Sequence, residues 1–126
     1  MSLSPPLIYH IARQADWQAA QTAGEYRAPS LESQGFIHCS TREQVVRVAE
    51  ALFRGESGLL ILAIDPLRLR AELRYEPPIS PETGQPEPGI DELFPHLYGA
   101  LNLDAVIQVA AAAVGEDGRL RLVDEG

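Results

Sequence analysis

The chain has 126 residues, of which 45% are hydrophobic and 22% charged, and this composition predicts one globular domain with its own core. Eighteen acidic residues outnumber ten basic ones, and the net charge of -8 argues against broad binding to nucleic-acid backbones. The single cysteine excludes an intramolecular disulfide and a cysteine-based metal framework, and the apolar runs are too short to span a membrane, so we expect a cytoplasmic protein.

The N-terminal residues predict a short leader followed by a strand. Residues 1–6 contain two prolines and are expected to form the leader, so that the single domain covers residues 7–124. Residues 7–12 alternate in the manner of a strand, and His10 interrupts an otherwise apolar face.

A short helix and a link are predicted next. Asp16 is a suitable N-cap for a helix over residues 17–23, and Gly24 is a suitable residue to end it. Residues 25–30 then predict a link that Pro29 keeps extended.

The stretch GFIHCST, residues 35–41, predicts a strand with two different faces. Ile37 and Cys39 form an apolar face, on which Cys39 is interpreted as a small buried hydrophobe. The opposite face carries an aromatic ring, an imidazole and a hydroxyl, from Phe36, His38 and Ser40. That combination is unusual in a core and suitable for a ligand.

Two overlapping capping-box patterns, at Ser40 and Thr41, predict the start of a helix with an apolar stripe. Residues 58–64 follow and are apolar at nearly every position, which is typical of a strand covered on both faces at the centre of a sheet.

The second half of the chain predicts strands around a long loop. Residues 71–76 alternate as a half-exposed strand, and residues 77–89 contain five of the ten prolines and are predicted to form the loop. The extended stretch 94–99 places an aromatic ring, an imidazole and a phenol on one face, from Phe94, His96 and Tyr98.

A hairpin is predicted at the C-terminal end. Residues 105–114 and 119–123 fit two strands joined by a four-residue loop, although the alanine run also fits a helix. The elements add up to six or seven strands and two helices in the N-terminal half, which predicts an α+β domain with a mostly antiparallel sheet.

His10, His38 and His96 all lie in strand-like stretches beside an aromatic residue, and this shared setting predicts that they line one site. If they converge, neutral imidazoles suit proton transfer or hydrogen bonding to a ligand. Zinc held by three imidazoles is the alternative, although the close histidine spacing typical of metal sites is absent. Each histidine buried separately in the core is a third interpretation.

Three further residues are candidates for the same site. Ser40 lies two residues from His38 and is expected to position a ligand hydroxyl, since it lacks the sequence context of a hydrolase nucleophile. Glu76, at a strand end, is a candidate acid or base, and a surface glutamate is the alternative. Arg27 is a candidate contact for a ligand phosphate.

The stretches GFIHCS and FPHLYG, with Trp17, Gly24, Tyr26 and Glu76 between and around them, resemble the small bacterial family known as domain of unknown function 952. That family in turn resembles a minimal ADP-ribosyltransferase fold. The resemblance implies a split antiparallel sheet whose cleft holds NAD or an ADP-ribose-like group. It also implies ribose contacts from His10 and a polar contribution from His38 and Ser40. The matching region offers His96 and Tyr98 where such enzymes have a glutamate.

The sequence therefore predicts a glycosyl-, ADP-ribosyl- or phospho-group transferase-like enzyme that binds a nucleotide-type ligand, NAD or ADP-ribose, in a histidine-lined cleft. A non-catalytic module that binds a small molecule or peptide is the first alternative, and a zinc hydrolase is the second. The candidate catalytic residues are His38, His96 and Glu76, and the candidate ligand-binding residues are His10, Ser40, Tyr98, Phe36 and Arg27.

Overall fold

The computed structural model describes residues 5–79, 83, 85 and 91–123. The strands of this part of the chain are β1 Ile8–Arg13, β2 Glu25–Tyr26, β3 Ile37–His38, β4 Leu59–Ile64, β5 Glu72–Glu76, β6 Phe94–Tyr98, β7 Leu101–Asn102, β8 Val106–Val114 and β9 Leu120–Leu122. Its α-helices are α1 Gln14–Ala23, α2 Pro29–Gln34 and α3 Arg42–Leu52, and short 3-10 turns cover Pro66–Arg68 and Leu103–Ala105. None of these helices has the length and apolar character that crossing a membrane requires.

The strands form antiparallel sheets, which confirms the predicted mixed class of helices and mostly antiparallel strands. The predicted numbers are too low, because the described residues form nine strands and three α-helices where six or seven strands and two helices were predicted. One sheet has the order β1-β4-β8-β9, a second has the order β3-β6-β5, and β2 pairs with β7. A single backbone bridge joins the first two sheets, because the amides of Tyr9 and Ser40 donate to each other's carbonyl oxygens over 2.8 and 2.7 Å. Beyond this bridge β1 and β3 have no further backbone pairing in the described residues.

The core lies around β4, as its apolar sequence predicts. Leu59–Ile64 runs between β1 and β8, and Leu62 and Ile64 are completely buried. Ile37 and Cys39 of the central stretch join the same apolar cluster, which confirms the predicted apolar face of β3.

The start of the first helix differs from the prediction. Helix α1 begins at Gln14 with Arg13 as its N-cap, and Asp16 lies in the first turn without capping it. Because β1 passes into the helix with no intervening loop, the last residue of the strand takes the cap position. The Asp16 carboxylate still stabilises the helix, because it lies near the positive end of the helix dipole. Gly24 ends the helix with φ of 87°, as predicted.

The predicted extended link over residues 25–30 is found as far as Ala28 and is wrong from Pro29 onward. Residues 25–26 form β2, and Pro29 opens helix α2 instead of preventing it. Proline at the first helical position costs no hydrogen bond, and the residue before it, Ala28, is extended as proline requires. Gly35 ends this helix at φ of 89° and turns the chain into β3.

The later elements follow the prediction more closely. Of the two overlapping capping boxes only Thr41 with Gln44 forms, since Ser40 is extended and bridged to Tyr9. The alanine run lies in β8, which forms the predicted hairpin with β9, although residues 115–119 make a five-residue connection. Most of the predicted loop 77–89 lies outside the described residues.

Candidate active site

The aromatic and imidazole faces of β3 and β6 meet side by side. The strands pair antiparallel with His38 opposite His96, so the residues two positions away, Phe36 and Tyr98, also share that face. The Phe36 ring stacks on the His96 ring at 4.1 Å and 23° between the planes, and its centroid lies 5.3 Å from that of Tyr98. The rings of His38 and His96 are 5.6 Å apart. Two stretches 58 residues apart in sequence thus form one cluster.

Strand β5 adds a carboxylate to this cluster. Glu76 Oε1 accepts a hydrogen bond from His96 Nδ1 at 3.0 Å and another from the Tyr98 hydroxyl. The Tyr98 hydroxyl and then His96 hold the pKa of the Glu76 carboxyl below its usual range, and the same bond raises the pKa of Tyr98. Because an ionised carboxylate only accepts, the neutral form of His96 carries its proton on Nδ1 and has a lone pair on Nε2.

His38 is the exposed member of the cluster. Its Nε2 donates to Gln34 Oε1, at the C-terminal end of α2, over 2.5 Å. Partial desolvation of the ring lowers the pKa of His38, and the neighbouring His96 lowers it further. The ring is therefore neutral at neutral pH, with Nδ1 as the remaining acceptor.

His10 is held in a different way. Its Nδ1 donates to the His38 carbonyl oxygen at 2.6 Å, and its Nε2 accepts from the Tyr26 hydroxyl at 2.8 Å. Burial lowers the pKa of His10 to about 4, so the ring stays neutral. Both ring nitrogens are occupied, and His10 thus positions the backbone of β3 in this structure and has no free nitrogen for a ribose.

A cavity of about 600 Å³ opens where β1 and β3 separate. His10, His38, His96 and Ser40 all line it, so the predicted convergence of the histidines is found. Much of the remaining wall is apolar and comes from α3, β6 and the start of the long loop, including Val48, Leu52, Phe53, Pro78, Ile79 and Phe94. Arg13 and Asp16 are the charged residues of the wall within the described part of the chain.

The other predicted site residues lie at varying distances from the cavity. Phe36, Glu76 and Tyr98 support His96 and are not part of the wall. Arg27 pairs with Glu25 on the surface over 2.6 Å and does not line the cavity. The expected phosphate contact of Arg27 therefore has no support from its position.

Sequence reasoning missed three residues of the site: Arg13, Tyr26 and Gln34. Arg13 ends an apolar strand, and an isolated charge in that place is a usable signal. Its guanidinium pairs with Glu56 at 3.0 Å and lies 5.3 Å from the centroid of the Phe53 ring. Gln34 gave no such signal, and Tyr26 was identified only as part of the family resemblance.

The geometry does not favour a three-histidine metal centre. Among the residues that the structure describes, no three histidine, cysteine, aspartate or glutamate side chains are close enough together to hold a metal ion. The occupied ring nitrogens of His10 explain this for the histidines.

Comparisons with known proteins give one family and one structural relative. The family described as Protein of unknown function (DUF952) matches residues 11–109. The crystal structure of protein CC0527 from Caulobacter crescentus is 32% identical, with 91% of this chain and 93% of that chain covered and a TM-score of 0.75. The crystal structure of a double mutant of CC0527 gives 31% identity and the same coverage and TM-score, and its solution NMR structure gives 33%, 90% of each chain and 0.64. No curated protein matches the sequence.

Proposed function

The chain belongs to the DUF952 family of proteins of unknown function, as its GFIHCS and FPHLYG stretches predict, and we propose a function for its cavity. The cavity binds a nucleotide-type ligand such as NAD or ADP-ribose and supports transferase chemistry. The observation that carries this proposal is the pair of Glu76 and His96, in which His96 lines a largely apolar cavity and Glu76 lies behind it.

The pair has the arrangement of a general base with an orienting carboxylate. Glu76 fixes the ring and the proton of His96 through Nδ1, so that Nε2 accepts a proton from a bound hydroxyl or water. The imidazolium that forms is stabilised by the adjacent carboxylate, and the Phe36 ring stacked on His96 limits ring rotation. His38 acts beside it as a second neutral imidazole at the cavity opening.

The size and wall of the cavity suit a nucleotide. A volume of about 600 Å³ lies inside the range of roughly 300–1,000 Å³ for small-molecule sites. Phe53 and Phe94 supply aromatic surface for a base, and Arg13 supplies a guanidinium for a phosphate.

A distant relationship to the ADP-ribosyltransferases is part of this proposal. Two antiparallel sheets that are joined by one bridge and separate around a cavity support it. The roles of the residues differ from those that the resemblance implies. His10 holds the β3 backbone, and Glu76 acts on a ligand through His96 and not by direct contact.

Calorimetric titration tests binding, with NAD, ADP-ribose and a 2'-phosphorylated oligonucleotide as ligands. We expect at least one of them to bind, and Arg13→Met to weaken that binding about tenfold, through loss of a charged hydrogen bond worth about 1.5 kcal/mol or more. Arg27→Met is the matched control, because this arginine lies outside the cavity. Absence of binding by all three ligands contradicts the proposal.

Mass spectrometry of the ligand after incubation tests turnover. We expect a product from the unmodified protein. Glu76→Gln should lose most of the product with unchanged ligand binding, because a neutral amide does not stabilise the His96 imidazolium as the carboxylate does. Binding without product for any ligand favours the non-catalytic module instead.

A further inference from the structure

Two polar side chains that line the cavity have atoms without a partner. Ser40 is 5% exposed and His96 is 1% exposed, and neither the Ser40 hydroxyl nor His96 Nε2 hydrogen bonds to a described residue. No fully enclosed polar side-chain atom in the described part of the chain lacks a partner. Both atoms therefore keep access to the cavity, where a ligand or water can satisfy them.

The hydrogen-bonding character of this end is fixed by the groups behind it. Glu76 accepts a hydrogen bond from the Nδ1–H of His96, and Gln34 accepts one from the Nε2–H of His38. Both imidazoles consequently turn lone pairs outward, and the Ser40 hydroxyl is free to donate or to accept. With the Glu76 carboxylate directly behind His96, this end selects groups that donate hydrogen bonds, and it repels phosphate.

The positive group of the wall lies some distance away. Arg13 is three residues beyond His10 on β1, which corresponds to about 10 Å at roughly 3.3 Å per residue. His10 is bonded to the His38 carbonyl, so it marks the histidine end of the cavity. The cavity thus has a donor-seeking end at the histidines and an anion-seeking end at Arg13, where a phosphate would replace the Glu56 carboxylate on the guanidinium, in a wall that also carries the Asp16 carboxylate.

We infer that the ligand enters with a hydroxyl-bearing sugar against His96 and Ser40 and with its phosphate towards Arg13. This inference rests on the proposed nucleotide-type function and adds an orientation and a substrate class to it: a nucleotide that carries a free terminal sugar. Plain nucleotides fill the anion-seeking end and leave the donor-seeking end to water.

Titrations of ADP-ribose and ADP test the inference, because ADP lacks the terminal sugar. Two or more hydrogen bonds of about 1 kcal/mol each predict that ADP-ribose binds at least tenfold more tightly than ADP. Ser40→Ala should weaken the binding of ADP-ribose several-fold and leave the binding of ADP unchanged. Arg13→Met should weaken both nucleotides by the same factor. Ser40→Ala is a small change that removes a hydroxyl without a hydrogen bond to the described residues and keeps the backbone bridge to Tyr9, and thermal unfolding of each variant checks that it is folded.

The outcomes separate this inference from the proposed function. Equal affinities for ADP-ribose and ADP, or an Ser40→Ala effect of the same size on both, overturn the sugar-first orientation and leave nucleotide binding in place. Failure of ADP-ribose to bind overturns this inference, and failure of every ligand, NAD and the 2'-phosphorylated oligonucleotide included, overturns the proposed function as well.

Discussion

The three histidines share a similar sequence setting, yet their hydrogen-bond partners give them different chemistry. Tyr26 and a backbone carbonyl occupy both nitrogens of His10, whereas Glu76 occupies only one nitrogen of His96. A histidine with both nitrogens bonded is a structural residue, and one with a free lone pair beside a carboxylate is suited to take a proton. The nature of the partner decides the role of each ring.

Burial of neutral His10 makes the protein less stable in acid. Its pKa of about 4 in the folded protein is below the usual 6.5, so the unfolded chain binds more protons between these values. The contribution of neutral His10 to the free energy of unfolding should be fully present above pH 6.5. It should fall by about 3 kcal/mol as the pH approaches 4, at about 1.36 kcal/mol per pH unit. The lowered pKa of His38 acts in the same direction. Urea unfolding at a series of pH values measures this slope.

His10→Gln provides the control for that slope. Glutamine keeps a donor and an acceptor near the same partners but does not titrate, so most of the pH dependence should disappear even if the variant is less stable overall. An unchanged slope in His10→Gln would show that other groups cause the acid sensitivity.

Tyr98 tunes the carboxylate that orients His96. Removing its hydroxyl in Tyr98→Phe should raise the pKa of Glu76 towards its ordinary value, because this hydrogen bond is the largest cause of the lowering. NMR titration of the side-chain carboxyl carbon measures the change. Tyr75→Phe is a matched control, since Tyr75 precedes Glu76 on β5 and its side chain points to the other face of that strand. Equal shifts in the two variants would contradict the assigned role.

At the scale of elements, period-two patterns predicted the faces of β3 and β6, and the unbroken apolar run predicted the place of β4. What the sequence did not show was that His38 pairs with His96, because a pairing across 58 residues depends on the whole sheet. The segment around Tyr26 was also misread, since its proline fits a helix start as well as a link. The structural role of His10 could therefore not be predicted.

Gln44 connects helix α3 to the start of β6. Its side-chain oxygen accepts from the Thr41 amide at 3.0 Å, and its nitrogen donates to Glu92 and to the Leu93 carbonyl at 3.0 and 2.9 Å. Gln44→Ala breaks all three bonds at a buried site and should lower the free energy of unfolding by about 2–3 kcal/mol. Chemical denaturation measures it. Gln21→Ala, in the exposed part of α1, should change stability by less than about 0.5 kcal/mol.

At the scale of the whole molecule, the central core strand and the imidazole cluster belong to different sheets. The four-stranded sheet holds β4 and much of the apolar core, and the three-stranded sheet holds the imidazole cluster. Within the described residues, only the bridge between Tyr9 and Ser40 connects their backbones. A ligand in the cavity contacts both sheets and should therefore stabilise this bridge.

Ligand binding should consequently protect the Tyr9 and Ser40 amides from hydrogen exchange. ADP-ribose at one hundred times its dissociation constant should also raise the free energy of unfolding by about 2.7 kcal/mol. Amides of β9, at the edge of the four-stranded sheet opposite β1, exchange through local fraying and serve as the internal reference. Stabilisation without protection of the two bridge amides would place the ligand outside the cavity, because a molecule between His96 and Arg13 cannot avoid the point where the two sheets part.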